Sequence, residues 1–143
     1  MLRDAEVFQS LADPTRLRLI HLLERRGEIC VCELTDALGV PQYNVSRHLR
    51  ILEHAGWLEA RKVGKWVYYR LARDLRPYQR NLLRAVEELR RERRELKEDE
   101  ARAGRRLKLR RGGLCCVGLV SSIGAATTVK PRNPKRRREG RAR

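Results

Sequence analysis

Apolar positions in the first half of the chain recur with helical spacing, and glycine and proline divide them into segments. Asp13 followed by Pro14 is typical of a helix start, because aspartate caps free backbone amides and proline suits the first turn. Gly27 and Gly39 mark helix ends. The pattern predicts four helices, over residues 6–11, between Pro14 and Gly27, over residues 29–38 and over residues 42–55.

The hydrophobic period changes after residue 56. Residues 57–71 alternate like strands around Gly64-Lys65, which predicts a β-hairpin. Residues 73–102 return to helical spacing, which predicts one long helix. Its leucines recur every seven residues and form a seam that can pack against a partner helix, at Leu75, Leu82, Leu89 and Leu96. The predicted fold class is therefore mainly α with a small β-hairpin.

Charge divides the 143 residues unevenly. Residues 1–103 carry a net charge of +4, whereas residues 104–143 carry 13 basic side chains and one acidic side chain, a net of +12. We expect one domain over residues 1–103 and a basic, flexible, cysteine-containing tail over residues 104–143. The total of +16 favours a polyanionic partner, most often nucleic acid.

Neither end of the chain predicts export or membrane insertion. The N-terminus lacks the apolar run of a secretory signal, and glycine, serine and threonine dilute the uncharged residues 112–129 too far for a bilayer span. We therefore expect a cytoplasmic protein with no membrane partner. Its four cysteines are then reduced thiols, metal ligands or redox switches rather than structural disulfides.

The order of helix, tight connection, helix and hairpin is that of a winged helix-turn-helix, whose second helix enters the major groove of DNA. The exposed face of the predicted helix over residues 42–55 and the hairpin tip carry side chains suited to bases and phosphates. For His48 a structural hydrogen bond is an equal alternative. The candidate residues for binding double-stranded operator DNA are Gln42, Tyr43, Asn44, Ser46, Arg47, His48, Arg50, Arg61, Lys62 and Lys65.

Two thiols, Cys30 and Cys32, flank one residue near the start of a predicted helix. Such a pair suits a soft, thiophilic ion such as arsenite, antimonite, cadmium or lead. Residues i and i+2 of a helix face away from each other, so chelation by both requires a non-helical start or unwinding. Unwinding would distort the first helix of the DNA-reading pair. Cys115 and Cys116 could supply further thiols from the tail.

Four motifs resemble those of the ArsR/SmtB family of bacterial metal-sensing repressors: DPTRL at residues 13–17, EICVCEL at 28–34, PQYNVSRHL at 41–49 and GKWVYYRL at 64–71. The resemblance covers roughly residues 5–90. It implies a homodimeric winged-helix repressor that binds its operator and leaves it when an inducing ion binds. It also implies a dimer interface formed by the N- and C-terminal helices, which suits the leucine seam.

Within this family, the Cys30-Val31-Cys32 motif resembles the arsenite sensors and also the cadmium/lead sensors. Many arsenite sensors carry a third cysteine where this chain has Thr35. Some members draw a missing thiol from a terminal segment, which makes Cys116 our preferred third ligand, beside Cys115. The resemblance thus implies arsenite or antimonite as inducer, with cadmium or lead as an alternative because four thiols could form a tetrahedral site.

Two further possibilities follow from the thiols. A thiol-redox repressor would oxidise a cysteine pair to a disulfide. A thiol enzyme would need a nucleophile in an anion-binding loop with a neighbouring acid or base, and Cys30 has neither a glycine-rich loop nor an adjacent histidine. We therefore expect no enzymatic activity, no organic cofactor and no small-molecule substrate. No histidine follows His54, so the family's zinc-type site on the last helix is not expected.

Overall fold

The computed structural model describes residues 1–120. Its elements follow in chain order: α1 Leu2–Leu11, α2 Pro14–Arg26, β1 Ile29–Cys30, α3 Val31–Leu38, α4 Gln42–His54, β2 Leu58–Val63, β3 Trp66–Leu71, α5 Pro77–Glu92 and α6 Arg94–Leu107. The expectation of a mainly helical winged helix-turn-helix is confirmed, since α3 and α4 form the helix pair and β2 and β3 form the wing. No helix in this part of the chain is long and apolar enough to cross a bilayer.

Local sequence signals correctly place the start of α2 and the end of α3. The Asp13 carboxylate accepts the amide of Arg16 at 3.0 Å and caps α2, with Pro14 in the first turn. Gly39 ends α3 in the left-handed region, at φ 65°. A connection over residues 39–41 leads to α4, one face of which is exposed to solvent.

The sheet contains one strand that the hydrophobic pattern does not predict. The described strands are antiparallel in the order β1–β3–β2, and β1 pairs Ile29 with Tyr69 and Cys30 with Tyr68. The sequence pattern assigned Ile29 and Cys30 to a helix. They are extended instead, because the edge of the wing offers them hydrogen-bond partners, and α3 begins at Val31.

The core of the domain is formed by apolar side chains from α1 to α4 and the sheet. Trp57 is fully buried beside them, and its indole nitrogen donates to Ser10 Oγ at 3.0 Å. Each buried leucine stabilises the fold by about 1.5–3 kcal/mol relative to an exposed one. The fully buried aliphatic residues include Leu19, Ile20, Leu22, Leu34, Leu49 and Leu52. This core holds α4 and the wing in a fixed relation.

The prediction of one long helix over residues 73–102 is wrong. The helix breaks at Arg93, whose backbone is extended at φ −108°, ψ 111°, and α6 turns back onto α2 and α3. The fully buried Asp99 favours this return, because Arg18 of α2 donates to its two oxygens at 2.7 and 2.8 Å. The leucine seam is thereby divided, and Leu96 is buried within its own chain.

The expected boundary between domain and tail, at residues 103–104, falls inside α6. The segment that follows α6, residues 108–120, folds back toward the start of α3, where Arg110 binds Glu33 and the amide of Val120 donates to Asp36. The remaining part of the expected tail, residues 121–143, lies outside the described residues.

Candidate metal centre and nucleic-acid interface

The first two thiols come together because the chain changes conformation between them. Cys30 ends β1 with extended backbone, at φ −73°, ψ 150°, and caps α3, whereas Cys32 lies in the first helical turn. Their Sγ atoms are 3.4 Å apart. The structure therefore meets the requirement of a non-helical start, and no unwinding of α3 is needed for both thiols to bind one ion.

A third thiol reaches the pair from the segment after α6. Cys115 Sγ lies 3.3 Å from Cys32 Sγ, and the three sulfurs all lie within 4.8 Å of one another. All three cysteines are buried, with exposed fractions of 1% for Cys30, 6% for Cys32 and 4% for Cys115. This is a compact set of soft ligands, shielded from solvent.

A tight turn positions Cys115. Arg111 and Leu114 exchange two backbone hydrogen bonds of 3.1 Å around Gly112 and Gly113, whose φ angles are 59° and 74°. Consecutive positive φ values are typical of the two-residue hairpin turn that glycine forms most readily. The Gly-Gly pair therefore fixes which of the two adjacent cysteines faces the site.

Cys116, our preferred third ligand from the sequence, is not the thiol that the structure places in this set. Its side chain is exposed, and its Sγ donates to the carbonyl of Leu109 at 3.4 Å. Adjacent residues after a hairpin turn point to opposite sides, so only one can face α3. The turn selects Cys115, and the Gly-Gly pair was the signal in the sequence that could have indicated it.

The two neighbouring thiols of the first pair have opposite acidities. The Cys32 thiol donates to Cys30, and this hydrogen bond lowers the pKa of Cys30 to about 6. The same hydrogen bond, together with burial, raises the pKa of Cys32. Near neutral pH the pair therefore holds one thiolate, at Cys30, stabilised by a thiol.

The buried Glu33 and the half-buried Arg110 form an ion pair beside the thiols, which the sequence analysis did not identify. Arg110 donates to both Glu33 oxygens at 2.7 Å and to the carbonyl of Glu28 at 3.0 Å. Glu33 also accepts the amide of Cys30 at 2.9 Å. The pair thus ties the segment after α6 to the backbone that carries the first thiol.

A second arginine, Arg106, holds residues 117–118 beside the site. It donates to Asp36 at 2.6 Å and to the carbonyls of Val117 and Gly118 at 2.7 and 2.9 Å. One of its nitrogens lies 3.8 Å from Cys32 Sγ. Both nearby guanidinium groups are thus already paired with carboxylates, so the immediate surroundings of the thiols are close to neutral overall.

The solvent-facing side of α4 carries most of the predicted DNA-binding residues. Tyr43 is 78% exposed, and Gln42, Arg47 and Arg50 are also exposed. Asn44 and Ser46 are half-buried on the same helix. A groove of about 780 Å³ runs along this face, lined by Gln42, Tyr43, Ser46, Arg47, Arg50, Ile51 and His54.

His48 faces the interior instead, so the structure favours the structural role that was its alternative. It is 7% exposed, and its Nδ1 lies 3.1 Å from Arg16 Nη1 and 3.9 Å from Asp13. Burial lowers the pKa of His48, which favours the neutral ring as an acceptor for Arg16. The residue joins α4 to the start of α2.

The three basic residues of the wing differ in their surroundings. Lys62 and Lys65 are exposed, and Lys65 Nζ lies 4.9 Å from the centre of the Trp66 ring. Arg61 is engaged within the protein, in an ion pair with Glu28 and 5.5 Å from the centre of the Tyr68 ring. The structure thus places one predicted DNA-binding residue against Tyr68, which packs with the three buried cysteines.

Comparison with known proteins places this architecture in a family. Residues 13–59 match the sequence profile described as "Bacterial regulatory protein, arsR family". Arsenic resistance transcriptional regulator ArsR2 of Pseudomonas putida is 44% identical over 86 residues, which is 60% of this chain and 75% of the relative. The chain belongs to the arsR family. Members of this family are transcriptional regulators rather than enzymes.

Other arsR-family relatives differ in how much of their length is matched. Regulator ArsR1 of P. putida is 49% identical over 80 residues, which cover 56% of this chain and 62% of ArsR1, so the chain spans less than two thirds of that relative. Among solved structures, the antimony-specific repressor AntR has a TM-score of 0.52 at 35% identity, covering 60% of this chain and 75% of AntR.

Another similar solved structure carries the description homodimeric. It is the winged helix-turn-helix DNA-binding domain of a possible ArsR-family regulator of Mycobacterium bovis. Its TM-score is 0.53 at 30% identity, covering 64% of this chain and 82% of that chain. In both structural comparisons more than a third of this chain lies outside the match.

Proposed function

We propose that this arsR-family chain is a homodimeric transcriptional repressor that senses arsenite or antimonite and releases its operator DNA when the ion binds. The ligands are Cys30, Cys32 and Cys115. The observation that carries the proposal is the buried set of three sulfurs within 4.8 Å of one another, located at the start of the helix pair that reads DNA.

The chemistry of the site suits a trivalent metalloid. Arsenite in neutral water is As(OH)₃, and at each sulfur one As–S bond forms while one As–O bond breaks. A thiol gives its proton to the departing hydroxide, which leaves as water, whereas the Cys30 thiolate displaces a hydroxide that takes its proton from the solvent. Three thiolates neutralise a trivalent centre completely. The resulting complex is uncharged, and burying an uncharged group avoids the desolvation cost of a buried charge.

Divalent ions fit the same site less well. Cadmium or lead with three thiolates carries one negative charge, which the two neighbouring arginines cannot balance without giving up Asp36 and Glu33. A fourth thiolate would have to come from Cys116, which faces away. The arsenic-resistance names of the relatives and the antimony-specific name of AntR support the same preference.

The DNA-binding part of the proposal is based on α4 and the wing. Gln42, Tyr43, Arg47 and Arg50 form an exposed helical surface that fits a major groove. Lys62 and Lys65 project from the wing toward the neighbouring backbone.

The dimer surface is proposed on α1 and α5. Leu2 and Phe8 of α1 are exposed apolar residues, and Phe8 stacks on Tyr78 of α5 with ring centres 5.8 Å apart. Together they form an apolar surface of the kind that a homodimer covers. The homodimeric M. bovis neighbour supports this assembly.

The test is DNA binding by fluorescence anisotropy with a duplex selected from a random pool by the ion-free protein. A phosphine reductant is used, because dithiols would compete for arsenite. We expect arsenite and antimonite to release the DNA from the wild type and from the Cys116→Ser control. The Cys115→Ser variant should keep its DNA in the presence of either ion. Release by cadmium with no response to arsenite, or arsenite release that survives in Cys115→Ser, would contradict the proposed site.

A second candidate function, redox sensing, is favoured by the 3.3 Å between Cys32 and Cys115 Sγ. With hydrogen peroxide as oxidant, the two thiols would form one S–S bond and two water molecules. Peroxide would then release DNA without arsenite, and mass spectrometry would show a Cys32–Cys115 disulfide. DNA binding that is indifferent to peroxide eliminates this candidate.

A further inference from the structure

Tyr68 lies between the thiol site and the DNA-binding wing. It belongs to β3, is 1% exposed, and pairs across the sheet with Cys30. Its hydroxyl accepts the backbone amide of Cys115 at 2.8 Å. Tyr68 therefore contacts the backbone of Cys115 directly. Its strand, β3, is also paired with β1, the strand that carries Cys30.

The ring of Tyr68 also contacts two arginines from different segments. The guanidinium carbon of Arg110, after α6, lies 6.0 Å from the ring centre, and that of Arg61, in the wing, lies 5.5 Å away. Glu28 joins the same group, because its carboxylate binds Arg61 and its carbonyl accepts from Arg110. With residues 109–120 docked, Arg110 and the Cys115 amide thus hold the Glu28 backbone and the Tyr68 side chain, which belong to the two residues that Arg61 contacts.

We propose that Tyr68 is a positioning residue that carries the occupancy of the thiol site to the wing. The inference rests on the proposed function and adds its route of regulation. The bistable element is the segment 109–120, docked or undocked. An ion that bridges Cys115 to Cys30 and Cys32 cross-links this segment in the docked state, in which Arg61 is committed to Glu28 and to the Tyr68 ring. Undocking releases Arg61 toward a DNA phosphate.

A competing route would run through α3 itself. Arg102 joins α6 to the Ala37 carbonyl of α3 at 2.7 Å, so a shift of α6 could move the helix pair directly. The sheet route is favoured because the amide of Cys115, a ligand residue, bonds directly to Tyr68, whereas α3 needs no unwinding to hold its thiols. The two routes differ in which variant should lose the effect of arsenite on DNA affinity.

The experiment compares Tyr68→Phe, which keeps the ring and removes the acceptor, with Tyr69→Phe, a matched control on the opposite face of β3. Arg102→Gln tests the competing route, because it removes the hydrogen bond from α6 to the Ala37 carbonyl of α3. For each full-length protein we measure sodium arsenite affinity, operator affinity with and without arsenite, and the arsenite-dependent change in Trp66 fluorescence. Trp66 packs against the thiol cluster, and Trp66→Phe identifies its share of the signal.

In the wild type, arsenite should lower DNA affinity by a factor within the usual allosteric range of about 5–150. Tyr68→Phe should bind arsenite within about fivefold of the wild type, yet release DNA less than threefold and lose most of the Trp66 response. Tyr69→Phe and Arg102→Gln should keep the wild-type coupling. If Tyr68→Phe does not fold, Glu28→Gln replaces it, since freeing Arg61 should likewise preserve DNA binding in arsenite.

Three outcomes would overturn the inference. Normal coupling in Tyr68→Phe with lost coupling in Arg102→Gln assigns the route to α3. Loss of arsenite binding in Tyr68→Phe makes the residue part of the site rather than a transmitter. A wild type that binds arsenite and keeps its DNA eliminates the proposed function, and with it the route.

Discussion

The turn at Gly112-Gly113 offers a quantitative test of how the third thiol is held. Both glycines have positive φ, at 59° and 74°, and a Cβ built on either one meets no atom within 4 Å. Replacing both with alanine therefore adds backbone strain without a steric clash. A left-handed residue with a side chain costs about 1 kcal/mol at the low end of its range, so the pair should weaken docking of the tail by about 2 kcal/mol.

The assay is the alkylation rate of each cysteine, followed by mass spectrometry without arsenite. Cys115 is 4% exposed and must undock to react, so its rate reports the undocked fraction. About 2 kcal/mol corresponds to a roughly 30-fold faster reaction. The exposed Cys116 is an internal reference that should change less than twofold. Gly112→Asn is the control, because asparagine tolerates this conformation.

Two results would refute this reasoning. If Cys115 reacts as fast as Cys116 in the wild type, residues 108–120 are not docked on α3. If the double alanine variant leaves the Cys115 rate unchanged, the turn does not determine docking.

Three further predictions address other parts of the chain. Asp99→Asn should lower the free energy of unfolding in urea by about 3–5 kcal/mol, because it leaves Arg18 without its buried partner. The control Glu98→Gln, in an exposed pair with Arg94, should lower it by less than about 1 kcal/mol. Equal losses would contradict the importance of the α6 return. Arg47→Ala should weaken operator binding by about 1–3 kcal/mol without changing arsenite affinity, measured by anisotropy; unaltered DNA affinity would remove α4 from the interface. Burial lowers the pKa of His21 despite nearby Glu87 and Glu100, so the ring takes up a proton on unfolding below about pH 6.5. The free energy of unfolding should therefore fall as the pH drops below that value, by at most about 1.4 kcal/mol per pH unit. A His21→Asn variant with the same pH profile of stability would refute this.

The sequence predicted those parts of the fold that depend on local signals. Caps, glycine stops and the period of apolar residues placed α2, α3, α4 and the wing, and the motifs around Cys30 and Arg47 indicated the family. The failures involve long-range partners. The extended backbone at Cys30 depends on pairing with Tyr68, and the break at Arg93 depends on Arg18 meeting Asp99. Neither pairing has a local signature.

The return of α6 is what makes the three-thiol site possible within one chain. A continuous helix from residue 73 to residue 102 would carry its C-terminal end away from α3. The break at Arg93 instead brings Arg106 and Arg110 beside Asp36 and Glu33. The resulting ion pairs hold the segment with the Gly-Gly turn next to the thiols. All three sulfurs then belong to the same protomer, so we expect one arsenite per chain at every protein concentration. Arsenite binding that appears only above the dimerisation concentration would contradict this construction.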